Sequence, residues 1–386
     1  MLAYPLFGTL VAFTSLPSLV ASVPVRALVL LLSLSLILRT PRAVWASTGA
    51  WLIFLFWVIY FARLMWDWWV VGIPVASEFT LNFIAFSIPT AIAFLHAPAI
   101  DERKLSIQLL ALGAVTCFLA IIAYYTGLAG ERSSTEFAGG RLFLETVNPI
   151  TFGHVGVTTL LAALSMTRYC TRYIEWTVLA SAAVLGCVVI QIAGSRGPLL
   201  SLVVCVLAVG LICKHYRWLL LPLIFGGLLM FGGSSIESES LLVSRANSSL
   251  SNDSPEIRVL MMAGALQQFY DSPWVGSSII EQQFEDHPHN PFLEAAMAVG
   301  LSGLLLLVCI SLGALWRVFR ALREGDLLVP LLALQALVAA QGSGSISQSA
   351  SMWMFLALFA GASVRQRRRS PPSCLMAHAH PSLKIK

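Results

Sequence analysis

Two imidazoles and a carboxylate stand close together in His287-Pro288-His289-Asn290-Pro291-Phe292-Leu293-Glu294, and Gly300-Leu301-Ser302-Gly303 follows shortly after. Asn290 suits the N-cap of a helix, because its side-chain oxygen can take up first-turn N–H groups. Pro291 suits the first helical position, where no N–H is needed. His289 then sits at the mouth of that helix. The positive helix end disfavours an imidazolium, whereas Glu285, Asp286 and Glu294 favour one. In its neutral form the ring can accept a proton from a hydroxyl, which is general-base chemistry. The competing reading makes His289 an interfacial polar residue and His287, which precedes it by two, a structural or solvated one. Gly300 and Gly303 permit close helix packing and so shape the site rather than touch a substrate.

Arginine supplies the second chemical signal. Arg196 lies in the tight connection Gly194-Ser195-Arg196-Gly197-Pro198-Leu199-Leu200, Arg258 stands just inside a helix start at Ser254-Pro255-Glu256, and Arg141 closes Gly139-Gly140-Arg141 ahead of Asn148-Pro149. A guanidinium fork matches phosphate oxygens and stays charged at any working pH. Two such groups facing a diphosphate would stabilise it as a leaving group. The alternative for each is an arginine that snorkels and pairs with a nearby carboxylate. His154 follows Asn148-Pro149 closely enough to line the same cavity, or else packs within its helix. Arg132 and Arg245 sit in polar stretches and read as solvated, and Trp66-Asp67-Trp68-Trp69 reads as an interfacial aromatic belt. The sequence has no P-loop, no G-x-S-x-G and no H-E-x-x-H, so nucleotide- or metal-dependent chemistry has no motif behind it.

These residues must be positioned by a chain of 386 residues of which 58% are hydrophobic and only 11% charged, with a mean hydropathy of +0.81. A soluble protein carries about a quarter charged residues, so a water-soluble enzyme is excluded. The composition predicts an all-α polytopic membrane protein. A bilayer core of about 30 Å needs roughly 20 apolar residues per helix. Apolar runs near 3–21, 24–38, 44–64, 79–98, 105–127, 151–167, 174–193, 198–213, 217–234, 291–313, 327–341 and 349–364 predict about 12 transmembrane helices, with ten as the lower bound. The start, MLAYPLFGTL, lacks a basic region and reads as a retained first span rather than a signal peptide. With both termini inside, the cytoplasmic segments hold 17 of the 24 Lys and Arg and the outer segments hold 14 of the 19 Asp and Glu, as the positive-inside rule requires. The tail's Arg365, Arg367, Arg368 and Arg369 then anchor topology and need no nucleic acid. None of the seven cysteines falls in an outer segment, so no external disulfide framework is expected.

The organisation that follows has five parts: N-terminal transmembrane helices over 1–128, central helices with a first external loop over 129–234, a large external loop over 235–290, C-terminal helices over 291–364, and a basic cytoplasmic tail over 365–386. Within the large loop, serine as N-cap, Pro255 at the first position and Glu256 in the first turn predict a helix to about Tyr270, stopping at Asp271-Ser272-Pro273. It is apolar enough to lie on the membrane interface.

The pattern His289-Asn290, nine residues, Gly300, two residues, Gly303 resembles the histidine motif of the O-antigen ligase family. Arg196 followed by Leu200 is similar to that family's second motif. Arg258, with Ser272-Pro273-Trp274-Val275-Gly276 downstream, is similar to its loop arginine and Pro-x-x-Gly turn. The likeness covers roughly residues 130–310. It implies a GT-C-like bundle with a large periplasmic loop, in the bacterial inner membrane. It also implies glycan transfer from undecaprenyl diphosphate, with Arg196, Arg258 and Arg141 binding the diphosphate. His289 would accept or orient the acceptor hydroxyl proton, and Asn290, Gly300, Gly303 and His154 would shape the site. Configuration would invert, and no metal or other cofactor is implied. The partners implied are the lipid-linked glycan donor, membrane lipids, and as acceptor either lipid A-core or a second lipid-linked glycan. The histidine spacing favours ligation to lipid A-core. A polysaccharide polymerase using the same donor is the alternative. A lipid-linked glycan transporter is the third reading, disfavoured because the polar residues gather at one face rather than at mid-membrane.

Overall fold

The computed structural model describes residues 2–12, 18–39, 47–95, 97, 100–128, 142, 144, 147–213 and 253–361. The expected span near 217–234, most of the first external loop and the basic tail lie outside the described residues. So does Arg141.

Among the described residues the chain is built from helices, because a backbone crossing hydrocarbon must satisfy every N–H and C=O internally. The helices are α1 (Ala3–Ala12), α2 (Ser18–Arg39), α3 (Thr48–Trp66), α4 (Val75–Asn82), α5 (Ile88–Leu95), α6 (Glu102–Tyr125), α7 (Pro149–Met166), α8 (Tyr173–Ala193), α9 (Arg196–Ile212), α10 (Asp253–Asp271), α11 (Pro291–Glu324), α12 (Leu328–Ser343) and α13 (Ala350–Ala360). Six described stretches are long and apolar enough to cross a membrane: Thr48–Val71, Val75–Leu95, Glu102–Tyr125, Pro149–Tyr169, Tyr173–Ala193 and Pro291–Glu324. Shorter apolar helices occupy Pro24–Leu38, Arg196–Ile212, Leu328–Gly342 and Ala350–Ala360. The chain is a multi-pass helical membrane protein.

Local signals set the helix starts. The side chains of Ser47, Asp101 and Asn148 cap α3, α6 and α7 by accepting from Ala50 N, Lys104 N and Thr151 N. Two of the apolar stretches contain π-helical turns, Asp67–Val71 after α3 and Phe83–Ser87 between α4 and α5. The second of these joins an aromatic core in which Phe56, Tyr60, Phe83 and Trp353 are fully buried and meet at ring-centroid distances of 5.3–6.5 Å. Where hydrophobicity cannot drive helices together, small residues let them approach. On α7 and α8, a Cβ at Gly156 would lie 2.6 Å from the Gly186 carbonyl oxygen.

The two ends of the bundle differ. At one, the buried Glu102 accepts from Leu327 N and Val329 N and meets Arg168, joining the start of α6 to the start of α12. At the other lie the starts of α7, α9 and α11 and the end of α12. Two boundaries depart from the hydropathy reading. α2 runs through Pro24 without ending there, since a membrane helix tolerates proline when neighbours supply the missing bond. α11 continues to Glu324, past the expected end near 313, and carries Arg317, Arg320 and Arg323 on helix rather than in a connector. Hydropathy reports where hydrocarbon stops, whereas the helix stops at Gly325, whose φ of +98° is the left-handed closure that favours glycine.

Candidate active site at the α10–α11 corner

The loop between α10 and α11 is held from three sides. α10 buries Met261, Ala265 and Gln268, spaced to form one helical face. From that face Gln268 Nε2 donates to Ser277 Oγ and to the Ile280 carbonyl, and its Oε1 accepts from Gln282 N. From the π-helical turn after α3, the fully buried Asp67 accepts from Ile279 N at 2.8 Å and pairs with Arg63 of α3 at 2.8 Å. Within the loop, the buried Glu281 carboxylate accepts from Gln283 N and Phe284 N, and Glu281 N donates to the Asp286 carbonyl, closing a turn.

The third side is α11, which is broken. Gly300 has φ +73° and ψ −160°, so Pro291 to Val299 form a short helix set off from the remainder. The turn at Pro273-Trp274-Val275-Gly276 inserts at this break. Leu301 N donates to the Pro273 carbonyl at 2.7 Å and Ser277 N donates to the Met297 carbonyl at 2.8 Å. Only glycine fits at either contact. A Cβ at Gly276, φ +73°, would lie 2.3 Å from the Ala298 carbonyl carbon, and a Cβ at Gly300 would lie 2.6 Å from that of Trp274. Gly303 acts across the same break, since its Cβ would come 2.6 Å from Val299 Cβ. The expected close packing by Gly300 and Gly303 is thus of loop and helix against a kink, not of two passing helices.

His289 ends this loop. Its φ of +55° and that of Glu285, also +55°, are left-handed at non-glycine residues, a strain of about 1–3 kcal/mol each that persists where surroundings enforce it. Asn290 enforces it from one side, as its Oδ1 caps α11 by accepting from Phe292 N and Leu293 N, with Pro291 at the first position. The ring's Nδ1 is buried and has no hydrogen-bond partner in the described structure. Burial first, then the electrostatic influence of His287 and of the Arg258 guanidinium, lower its pKa from 6.5 to about 4, with Asp286 opposing. From sequence, the helix end and the nearby carboxylates pull in opposite directions, and burial decides between them. Behind it, Glu294 is fully buried and accepts from Tyr60 Oη at 2.5 Å and from Ile346 N at 2.9 Å.

Arg258 reaches the same corner. Its Nη1 donates to the Gly342 carbonyl at the end of α12 at 3.2 Å, and its charge acts on His289. Arg196 is exposed in the first turn of α9. That helix end meets α7, where a Cβ at Gly153 would lie 2.5 Å from Pro198 Cγ. Among the described residues neither Arg196 nor Arg258 pairs with a carboxylate, so the snorkelling ion pair weighed for each is not seen there. His154, one residue beyond Gly153, accepts at its carbonyl from Gln335 Nε2 at 2.9 Å, and its buried Nε2 has no described partner. It packs against α12 about two helical turns from the residue that Arg258 contacts. Leu142 N donates to the Ile192 carbonyl in the last turn of α8.

Sequence reasoning missed Asp67, Gln268, Glu281 and the Tyr60–Glu294 pair. Asp67 had a signal: it lies four residues after Arg63 in an otherwise apolar run, and an ionisable pair there is costly without a purpose. The others are ordinary polar residues whose partners are remote in the chain.

Residues 181–308, about a third of the chain, match the family described as O-antigen ligase. Over that stretch the chain is similar to the O-antigen ligase family. No curated protein matches it. The matched segment runs from within α8 into α11 and contains Arg196, Arg258, His289, Gly300 and Gly303. Asp67 and Tyr60, which brace that segment, lie outside it on α3 and its π-helical turn.

Proposed function

We propose that this protein transfers a glycan from undecaprenyl diphosphate to a sugar hydroxyl on the periplasmic face of the inner membrane, and that the product is O-antigen joined to lipid A-core. The observation that carries this reading is the shared corner of Arg258 and His289, where a fixed cation lies beside a ring kept neutral. In the step proposed, the acceptor O–H bond breaks as His289 takes the proton. The oxygen's electron pair forms the new bond to the anomeric carbon. The bond from that carbon to the diphosphate breaks on the opposite face, inverting configuration, and its electrons leave on the diphosphate. Arg258 and Arg196, with Arg141 as a further contact, neutralise the charge that develops there. Apolar helix surfaces facing the bilayer, such as the exposed Leu200, Leu207 and Leu211 of α9, offer a polyprenyl chain a path to the corner from the membrane.

The deciding experiment is replacement of His289 or Arg258 by alanine in cells lacking the native gene product. Glycan transfer is expected to fall by at least about a hundredfold, the scale of a general base or a charge-stabilising group, while membrane insertion is unchanged. Normal transfer by both variants removes the assignment. The same deletion strain separates ligase from polymerase. Long polymer accumulating on undecaprenyl diphosphate, with bare lipid A-core, marks the ligase. Accumulating single repeats mark the polymerase.

A further inference from the structure

One pair of side chains at the corner has no part in the step above. Asp286 Oδ1 accepts from the backbone N of His287 at 2.7 Å and from its ring Nδ1 at 2.7 Å. A carboxylate gripping one ring nitrogen fixes the tautomer and leaves Nε2 as the acceptor. The His287 residue is buried, at 8% exposure. Phe79 of α4 backs its ring edge to face, at 5.9 Å and 82°. On the other side stands His289, with ring centroids 4.3 Å apart and an interplanar angle of 67°. His287 is thus clamped by a carboxylate and an aromatic wall, and it is the ring that His289 rests against.

Resting on the reading of His289 as the base, we propose that Asp286 and His287 form a carboxylate–imidazole pair that positions the His289 ring for proton transfer. The strained backbone at Glu285 and His289 brackets this pair, so the ring's direction is set by side-chain contact and not by a relaxed backbone. The pair also serves the proton once it has moved. An imidazolium on His289 lies near the Asp286 charge, which eases its formation. The charged groups facing His289 among the described residues are Arg258 from α10 and Asp286 and His287 from its own turn. Asp286 favours the cation and the other two oppose it.

Two isosteric changes separate positioning from packing. Asp286→Asn keeps the shape and removes the charge. His287→Phe keeps an aromatic ring and removes the bond to Asp286. The His289 ring is followed by nitrogen NMR of the full chain in lipid nanodiscs across pH, which needs no substrate. Relative to the wild-type titration near pH 4, Asp286→Asn is expected to move the midpoint down and His287→Phe to move it up. Both are expected to lower glycan transfer in cells about tenfold or more, the scale of a lost orienting contact, with His289→Ala inactive. Unmoved midpoints or wild-type transfer in both variants, beside an inactive His289→Ala, overturn the pair alone. An active His289→Ala overturns the base itself. If one variant does not fold, the other still reads the pair, because each makes its own signed prediction.

Discussion

At the scale of single residues, the corner turns on how His289 is kept neutral. Its pKa is lowered to about 4 by burial first and then by the electrostatic influence of His287 and the Arg258 guanidinium. In the proposed step the neutral imidazole is the base, so a lowered pKa extends activity towards acid. Transfer is expected to hold its rate down to roughly pH 5 and to lose it towards the ring's own pKa, read as the acid limb of kcat/KM. A limb near 6.5, the ordinary histidine value, would contradict the buried geometry. Arg196 makes a different claim. If it grips a diphosphate with two parallel N–H bonds, Arg196→Lys keeps the charge and loses the fork. We expect that variant to lose about tenfold in transfer, a cost of roughly 1.4 kcal/mol, mostly in KM. Full activity would reduce Arg196 to a bystander. Residue types were legible here from the chain alone. His289, Asn290 and Arg258 announce themselves by spacing. The left-handed backbone of His289 does not, because it is imposed by a cap on one side and the Glu281 turn on the other.

At the scale of elements, the decisive feature is the break in α11 and the turn inserted in it. Gly276→Ala and Gly300→Ala each place a Cβ within 2.6 Å of a backbone carbon on the opposing segment, and backbone cannot step aside as a side chain can. Each also forces alanine into a left-handed conformation, at about 1–2 kcal/mol before any clash. Both variants are expected to melt earlier in detergent and to lose transfer, and wild-type melting in both would mean the turn docks elsewhere. Asp67 tests the other brace. Asp67→Asn breaks a buried ion pair with Arg63 whose acidic partner is fully enclosed, a change that costs about 3–5 kcal/mol when one charge is left behind. Faster hydrogen exchange at Ser278 to Glu281 is expected, with the α6–α8 helices unaffected. Exchange that speeds up evenly along the chain would show a global loss instead. The loop helix was readable from its proline and first-turn glutamate, and α10 spans Asp253–Asp271 much as those signals require. The kink was not readable, since a glycine in an apolar helix reads first as a packing residue.

At the scale of the whole molecule, the two ends of the bundle divide the labour. One end ties α6, α11 and α12 together through Glu102, Arg168 and Gly325. The other carries Arg196, Arg258 and His289. Placing that second end in the periplasm predicts that a cysteine replacing the exposed Gln267 of α10 reacts with a membrane-impermeant maleimide in intact cells, while one in the basic tail does not. The reverse pattern would invert the topology and strand the proposed chemistry on the wrong side for its acceptor.

The sequence alone determined that this is a helical membrane protein, where most helices begin, and which residue types gather near one membrane face. These follow from local quantities: apolar length, capping chemistry and the distribution of charge. Only the tertiary structure decided that α3 braces a loop some two hundred residues away through Asp67, that the loop is wedged into a broken helix, and that His287 backs His289. Those contacts join residues distant in the chain or depend on a backbone turn that no single residue dictates. Their energy exists only once the helices are packed.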